Sequence, residues 1–148
     1  MIYVLLAAVL FILELCIKNY IAKTKRLGED EPIIKDKLSV RYIQNRGAIY
    51  STFEDKQKGV CITSCIVLIA GVIIYITTLM KRGNELLKLG LSLIVAGGAS
   101  NVWDRIKRKY VVDYIYWKRL KKIIFNLADV MIALGSVLVL LHSFVSEK

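Results

Sequence analysis

Four long apolar segments constrain what this chain can fold into. They cover approximately residues 2–21, 60–80, 86–103 and 123–145. The second has 21 residues and no charged side chain, and about 20 apolar residues are enough for a helix to cross the hydrocarbon core of a bilayer. The pattern predicts an all-α membrane protein with four transmembrane helices, residues 1–148 forming one integral membrane domain. An even number of spans places both termini on the same side.

The charge balance narrows the class of partner. The formal net charge is +10, which on a soluble protein would suggest nucleic acid, but 56% of the residues are hydrophobic. We therefore expect the cations to face lipid headgroups, and we expect membrane lipids and no nucleic acid as partners. His142 is the only histidine, so the sequence predicts neither a metal site nor a cofactor. The three cysteines lie in apolar runs and are expected to be buried thiols rather than a disulfide framework.

The loops between the spans differ in character. Residues 22–59 are long and polar, and residues 40–53 are rich in β-branched and aromatic side chains around Asn45, Arg46 and Gly47. This composition predicts a small hairpin or sheet on the membrane surface. Residues 104–122 are basic and carry spaced aromatic rings, which suits the headgroup region. Residues 22–59, 81–85 and 104–122 contain 9, 2 and 8 lysines and arginines, and this count alone would place the first and third loops in the cytoplasm.

Two carboxylates are the strongest candidates for chemistry. Asp129 lies seven residues into the fourth apolar run, where an acidic residue is costly. Asp113 is 16 residues earlier, in the connector that turns the chain back toward the same membrane face. If the two carboxylates share a site, one proton is shared between them, which is the arrangement of an aspartyl protease. The alternative is structural: Asp129 pairs with a buried lysine, and Asp113 offsets neighbouring cations.

Two further groups of residues bear on a site. Asn101, Asp104 and Arg105 lie at positions i, i+3 and i+4, hence on one helix face. They either position the aspartates or a substrate, or form a solvated helix end. Glu14 and Lys18 form an i,i+4 pair in the first span, and a salt bridge that lets Glu14 tolerate the bilayer is favoured over a direct role in the site.

Other chemistries have weaker support. Ser100 would need a base for nucleophilic catalysis, and His142 lies 13 residues beyond Asp129, about 20 Å deeper along a helix. A proton-coupled transporter would use Glu14 and Asp129, but it requires a polar route through both halves of the bilayer. The second and fourth spans offer few polar residues for such a route.

Four short segments resemble the motifs of the lipoprotein signal peptidases, the bacterial signal peptidase II family of intramembrane aspartyl proteases. The segments occur in the family's order, and the resemblance covers about residues 10–140. They are NRGA at 45–48, AGGASNVWDR at 96–105, VVDY at 111–114 and FNLAD at 125–129.

The resemblance implies a function and site residues. The family removes the signal peptide from diacylglyceryl-modified prolipoproteins before the lipidated cysteine, and it is inhibited by the cyclic peptide globomycin. By carry-over, Asp113 and Asp129 are the catalytic pair. Supporting roles fall to Asn45, Gly47, Asn101, Asp104, Arg105 and Asn126, together with Glu14 and Lys18.

The resemblance also implies a topology. It places the protein in the bacterial cytoplasmic membrane with both termini in the cytoplasm and the active site near the extracytoplasmic face. Residues 22–59 would contribute an extracytoplasmic β-cradle, and residues 114–122 would form part of a short interfacial helix. This orientation is opposite to the one that the lysine and arginine count suggests, and we favour the orientation of the family.

The chain departs from the family pattern at a few positions. Glu14 stands where the family has aspartate, and Ser100 and Ala96 stand where it has glycine. None of these changes removes a catalytic group. The alternatives to a lipoprotein signal peptidase are a diverged paralogue that cleaves another membrane peptide, a non-enzymatic membrane scaffold, or a proton-coupled transporter.

Overall fold

Four α-helices and four β-strands make up the part of the chain that the computed structural model describes, residues 1–34, 37–47, 57–118 and 123–146. In chain order they are α1 (Ile2–Thr24), β1 (Asp30–Ile34), β2 (Leu38–Asn45), α2 (Gln57–Leu79), α3 (Glu85–Lys107), β3 (Val111–Trp117), β4 (Ile124–Phe125) and α4 (Leu127–Ser146). Each helix is long and apolar enough to cross a membrane, because 20 helical residues extend about 30 Å. The prediction of four membrane-spanning helices is confirmed.

Helix α3 is the centre of the bundle and packs against α1, α2 and α4. Half of the residues in its most apolar 18-residue stretch are buried, compared with 6 to 17% in the corresponding stretches of the other helices. Its closest neighbour is α4, since a Cβ atom built on Gly97 would lie 2.5 Å from the backbone oxygen of Ala128. Gly90 meets the backbone of Gly135 in the same way. These contacts bring the backbones together and place the end of α3 beside the start of α4.

The strands form one antiparallel sheet in the order β1-β2-β3-β4. Tyr42, Val112 and Tyr114 from this sheet pack with Ile21 of α1 in a buried cluster. Because side chains alternate along a strand, Val112 and Tyr114 face α1 and Asp113 faces the opposite side of β3. The sheet therefore fixes the direction of Asp113 relative to the helices. The expectation of a small sheet beside four spans is confirmed.

The hairpin lies at a different position from the one that residues 40–53 suggest. Strand β2 ends at Asn45 and pairs with β1 on one side and β3 on the other. The pairing with β1 covers Leu38–Arg41 and the pairing with β3 covers Leu38–Asn45, so the hairpin of the described residues is the one formed by β1 and β2. The remaining residues of the predicted segment, 48–53, lie outside the described residues.

The expectation of a surface helix over residues 114–122 is wrong for its first part. Val111–Trp117 form strand β3, and residues 119–122 lie outside the described residues. The strand is rich in valine, isoleucine and aromatic side chains, which suit a pleated, half-buried surface. It pairs with β2, from Leu38 opposite Trp117 to Asn45 opposite Val111. This pairing with a distant segment decides the conformation.

Candidate active site

Asp129 lies in the first turn of α4, although it is the seventh residue of the apolar run that begins at residue 123. The helix begins at Leu127, because Ile124 and Phe125 pair with β3 and are not helical. The backbone N–H of Asp129 donates to Asn126 Oδ1 at 2.9 Å, and the backbone N–H of Asn126 donates to Asp129 Oδ2 at 3.1 Å. This reciprocal pair is a capping box. It fixes the Asp129 carboxylate at the positive end of the helix dipole.

Two more side chains bind the first amides of α4. Leu127 N–H donates to the Tyr114 hydroxyl at 3.3 Å, and Ala128 N–H donates to Glu14 Oε1 at 3.3 Å. The Tyr114 hydroxyl in turn donates to Glu14 Oε2 at 2.8 Å. With the capping box, the four amides from Asn126 to Asp129 that a helix start leaves without helical partners all have acceptors. The start of α4 is therefore held from both α1 and β3.

Asp113 lies on β3 and is 3% exposed. Its Oδ1 accepts from Asn126 Nδ2 at 2.7 Å, and its Oδ2 accepts from Asn45 Nδ2 at 3.0 Å. Asn126 thus contacts both aspartates, Asp113 through its side chain and Asp129 through the capping box. One asparagine at the junction of β4 and α4 brings the two carboxylates to the same place.

The orientations of the three asparagine amides follow from donor-only groups. Lys18 Nζ donates to Asn101 Oδ1 at 2.8 Å, and an ammonium cannot accept a hydrogen bond. The NH₂ group of Asn101 must therefore point the other way, and it donates to Asp129 Oδ1 at 3.0 Å. The other two amides are fixed in the same manner. Gly47 N–H donates to Asn45 Oδ1 at 3.1 Å, and Asp129 N–H donates to Asn126 Oδ1. Three amide groups are thus aimed at the two carboxylates.

Lys18 is fully buried between two carboxylates. Its ammonium lies 3.7 Å from Glu14 Oε1 and 3.4 Å from Asp104 Oδ2 and also donates to Ser100 Oγ at 3.0 Å. Asp104 is itself buried, and it accepts from Arg108 Nε at 2.8 Å and from the backbone N–H of Val112 at 3.1 Å. The salt bridge expected for Glu14 and Lys18 is present, and it is part of a larger network that joins α1, α3 and β3.

A cavity of about 450 Å³ contains the two aspartates. Its polar wall comprises Asn45, Asn101, Arg105, Asp113 and Asp129. A second cavity of about 610 Å³ adjoins it between α2 and α3, has mostly apolar walls, and shares Asn101, Arg105 and Ile132 with the first. Arg105 lies at the boundary and donates to the carbonyl oxygens of Gly47 and Asn101, each at 3.4 Å. The arrangement joins a polar chamber to an apolar groove within the spans.

The electrostatics of the site favour one bound proton. Burial, and then the negative charge of Asp129, raise the pKa of Asp113 from 3.8 to about 7, against the opposing hydrogen bonds from Asn45 and Asn126. Burial and the Glu14 carboxylate likewise raise the pKa of Tyr114, so this hydroxyl is a hydrogen-bond donor at neutral pH. In the described part of the chain no three His, Cys, Asp or Glu side chains are grouped as metal ligands.

A family model described as signal peptidase (SPase) II matches residues 6–145. The chain belongs to the signal peptidase II family. Its relatives include the lipoprotein signal peptidase of Clostridium tetani, which is 39% identical over 134 residues and is matched over 88% of this chain and 84% of its own length. The lipoprotein signal peptidase of Fusobacterium nucleatum is 32% identical over 149 residues, covering 100% of this chain and 90% of the relative.

Two solved structures of bacterial membrane enzymes share this fold. A bacterial membrane enzyme determined by the in meso method superposes with a TM-score of 0.85 at 25% identity, over 99% of this chain and 89% of the other. A second such enzyme gives a TM-score of 0.80 at 28% identity, over 94% of this chain and 90% of the other. As a signal peptidase II with four spanning helices, the chain is a protease and a multi-pass membrane protein.

The structure of this signal peptidase divides the expected supporting residues into two groups. Asn45, Asn101 and Asn126 contact the aspartates directly, and Arg105 lines their cavity. The other group acts from a distance through neighbours. Gly47 holds Asn45 and Arg105, while Glu14, Lys18 and Asp104 form the buried network behind them. On α3, Asn101 and Asp104 both contact Lys18, and Asn101 and Arg105 both line the cavity of the aspartates.

Tyr114 is the residue that sequence reasoning missed in this signal peptidase. Its ring suggested a membrane-surface residue, but it is 7% exposed and binds both Glu14 and the start of α4. The VVDY segment could have indicated this position, because side chains alternate along a strand and Tyr114 then lies on the face opposite Asp113. Ala48, the last residue of the first motif, lies outside the described residues.

Proposed function

We propose that this signal peptidase II is an intramembrane aspartyl endopeptidase that removes signal peptides from diacylglyceryl-modified prolipoproteins, cutting before the lipidated cysteine. The observation that carries the mechanism is the double contact of Asn126, which holds Asp113 and Asp129 at the wall of one cavity. The substrate class is supported by the relatives, which are lipoprotein signal peptidases.

The two carboxylates have different roles. Asp129 accepts hydrogen bonds from Asn101 and from the Asn126 backbone and lies at a helix N-terminus, all of which stabilise its negative charge. The shared proton therefore resides mainly on the more buried Asp113. Asp129 takes a proton from the attacking water, and the Asp113 carboxyl donates a hydrogen bond to the scissile carbonyl.

The completion of the reaction follows from the same assignment. The tetrahedral intermediate has received hydroxide at carbon and the Asp113 proton at oxygen. Its collapse breaks the C–N bond while the proton on Asp129 passes to the departing amine, and the product hydroxyl returns a proton to Asp113. The polar chamber would hold the reacting peptide, and the adjoining apolar groove would hold hydrophobic parts of the substrate.

We place this enzyme in the bacterial cytoplasmic membrane with its active site near the extracytoplasmic face and both termini in the cytoplasm. The sheet and the two aspartates lie at the same end of the bundle, and secreted prolipoproteins present their cleavage site on that side. Globomycin-type inhibitors would occupy the cavity that contains the aspartates. Membrane lipids surround the exposed apolar faces, and neither nucleic acid nor a cofactor has a role in this mechanism.

Cleavage of a matched pair of peptides tests the substrate class. We expect the purified protein in detergent to cut a prolipoprotein peptide whose cysteine carries diacylglyceryl, and to cut its unmodified twin at least about tenfold more slowly, because the acyl chains contribute apolar burial. Mass spectrometry of the products gives the bond cleaved. Equal rates on the two peptides would indicate a diverged paralogue that cleaves another membrane peptide. Absence of cleavage by a folded sample would favour a non-enzymatic membrane scaffold.

The activity of the enzyme is expected to fall as pH rises through about 7. Asp113 has a pKa of about 7, so its carboxyl is protonated below that pH and ionised above it. Loss of the proton removes the hydrogen bond to the substrate carbonyl, and kcat/KM should decline about tenfold per pH unit well above 7. The measurement is kcat/KM from about pH 5.5 to 9, a range that brackets this pKa, with tryptophan fluorescence as a check on folding. A rate that rises to a plateau above about pH 8 contradicts the assignment.

A further inference from the structure

A third cavity lies at the end of the helix bundle opposite the aspartates. It has a volume of about 580 Å³ and lies between the first two turns of α1, the end of α2 and the start of α3. Lys88 lines it and precedes Asn101 by 13 residues on α3, which is about 20 Å along the helix axis. The volume is within the range of pockets that hold small ligands, about 300–1,000 Å³.

Most of the cavity wall is apolar and belongs to α1. Ile2, Val4, Leu5 and Ala8 contribute from that helix, and Leu79 contributes from α2. These side chains lie in segments long and apolar enough to span the membrane. A ligand of this cavity therefore has a hydrocarbon portion that can lie against them.

Lys88 supplies the polar part of the cavity. It is 7% exposed, and among the described residues its ammonium makes one hydrogen bond, to Glu85 Oε1 at 3.2 Å. The other carboxylate oxygen of Glu85 accepts from the Tyr3 hydroxyl at 2.5 Å. An ammonium has three N–H donors, so two donors of a buried cation have no protein acceptor in the described structure. Such donors favour an anionic oxygen.

The turn beside the cavity adds positive charge. Lys81 and Arg82 are exposed and follow Leu79 within three residues. Basic residues at the end of a membrane helix attract anionic lipid headgroups. The combination of apolar walls, a buried ammonium and a basic rim matches an amphipathic anion.

We propose that this cavity is a binding site for an anionic phospholipid of the leaflet opposite the active site. The phosphodiester oxygens accept the two donors of Lys88 and lie near Lys81 and Arg82, while one acyl chain packs along the exposed apolar residues of α1. The lipid would join α1 to α2 at an end of the bundle where the two helices are separated by the cavity. This site is independent of the proposed catalytic function.

Lipid retention tests the site. The full-length protein in neutral detergent is mixed with phosphatidylglycerol or phosphatidylcholine, and bound lipid is measured by native mass spectrometry. We expect preferential retention of phosphatidylglycerol and about tenfold to a hundredfold weaker binding in Lys88→Met, the range for loss of hydrogen bonds to a charged group. Lys58→Ala, which removes an exposed lysine at the other end of α2, is the matched control and should bind as the parent does.

A second variant keeps the proposal testable if Lys88→Met does not fold. Leu5 is 65% exposed and lines the cavity, so Leu5→Trp should fill it without disturbing a packed core and should lower phosphatidylglycerol retention by a similar factor. Soluble glycerol phosphate should not compete, because it lacks the acyl chain. Equal retention of the two lipids by the parent, or unchanged phosphatidylglycerol retention in whichever of the two variants folds, would overturn the proposal.

Discussion

Asp129→Asn is expected to lower kcat on the order of 10⁴-fold or more, because an amide cannot take the proton from the attacking water. The substitution preserves side-chain size. It also exchanges one carboxylate oxygen for an NH₂ group, so the substituted side chain can no longer accept from both Asn101 and the Asn126 backbone. We expect a stability cost of about 1 kcal/mol from this weakened cap, which leaves a folded protein.

Asp113→Asn is expected to cause a loss of similar size, since the neutral amide does not transfer a proton to the substrate. The double variant should be about as slow as either single variant, because residues that act as a unit are strongly non-additive. Rates are measured with the diacylglyceryl peptide, and unfolding is followed by tryptophan fluorescence. Asp30→Asn is the matched control, since Asp30 is an exposed aspartate on β1 that pairs with Arg41.

The result of these substitutions separates chemistry from structure. Substantial cleavage by either folded single variant would exclude the aspartyl mechanism. Losses that multiply in the double variant would indicate two independent contributions rather than a shared-proton pair. An inactive Asp30→Asn control would show that the assay reports damage to the sheet.

Hydropathy was sufficient to predict the membrane helices, because a run of about 20 apolar residues has few other uses. The motifs were sufficient to select the side chains that the structure gathers around Asp113 and Asp129. Neither hydropathy nor the motifs predict that residues next to the site form β-strands. The sequence of Val111–Trp117 is compatible with either a helix or a strand. Its conformation is determined by pairing with Leu38–Asn45, about 70 residues earlier in the chain. Local sequence does not contain that partner.

The same limit applies to the start of α4. The apolar pattern begins at residue 123, so it places Asp129 seven residues into the run, about 10 Å below its start. The Asn-x-x-Asp pattern of Asn126 and Asp129 indicates a capping box. The apolar residues that precede it make the start of the helix difficult to recognise from the sequence. The sequence does not predict that Glu14 caps α4, because the amide that it binds, Ala128 N–H, lies 114 residues later in the chain. Spacing showed only its partner Lys18, one helical turn away.

Lys18→Met is expected to destabilise the protein by about 3–5 kcal/mol, the usual cost of removing one partner from a buried ion pair. Lys18 and Glu14 are both fully buried. Without the cation, the hydrogen bonds that Glu14 keeps within the described residues are those from Tyr114 and Ala128. Activity should fall even in molecules that fold, because Asn101 loses the donor that fixes its amide toward Asp129. Thermal unfolding in detergent and kcat on the lipidated peptide measure the two effects.

A second substitution distinguishes charge from packing. Lys18→Met combined with Glu14→Gln removes both members of the ion pair, and we expect the double variant to recover a substantial part of the lost stability, because no uncompensated Glu14 charge stays buried. Its activity should stay low, since Asn101 is still without its ammonium donor. Lys23→Met, at an exposed lysine of the same helix, should unfold and cleave as the parent does. A double variant less stable than Lys18→Met alone would show that the methylene packing of the two side chains, and not their charges, stabilises this region.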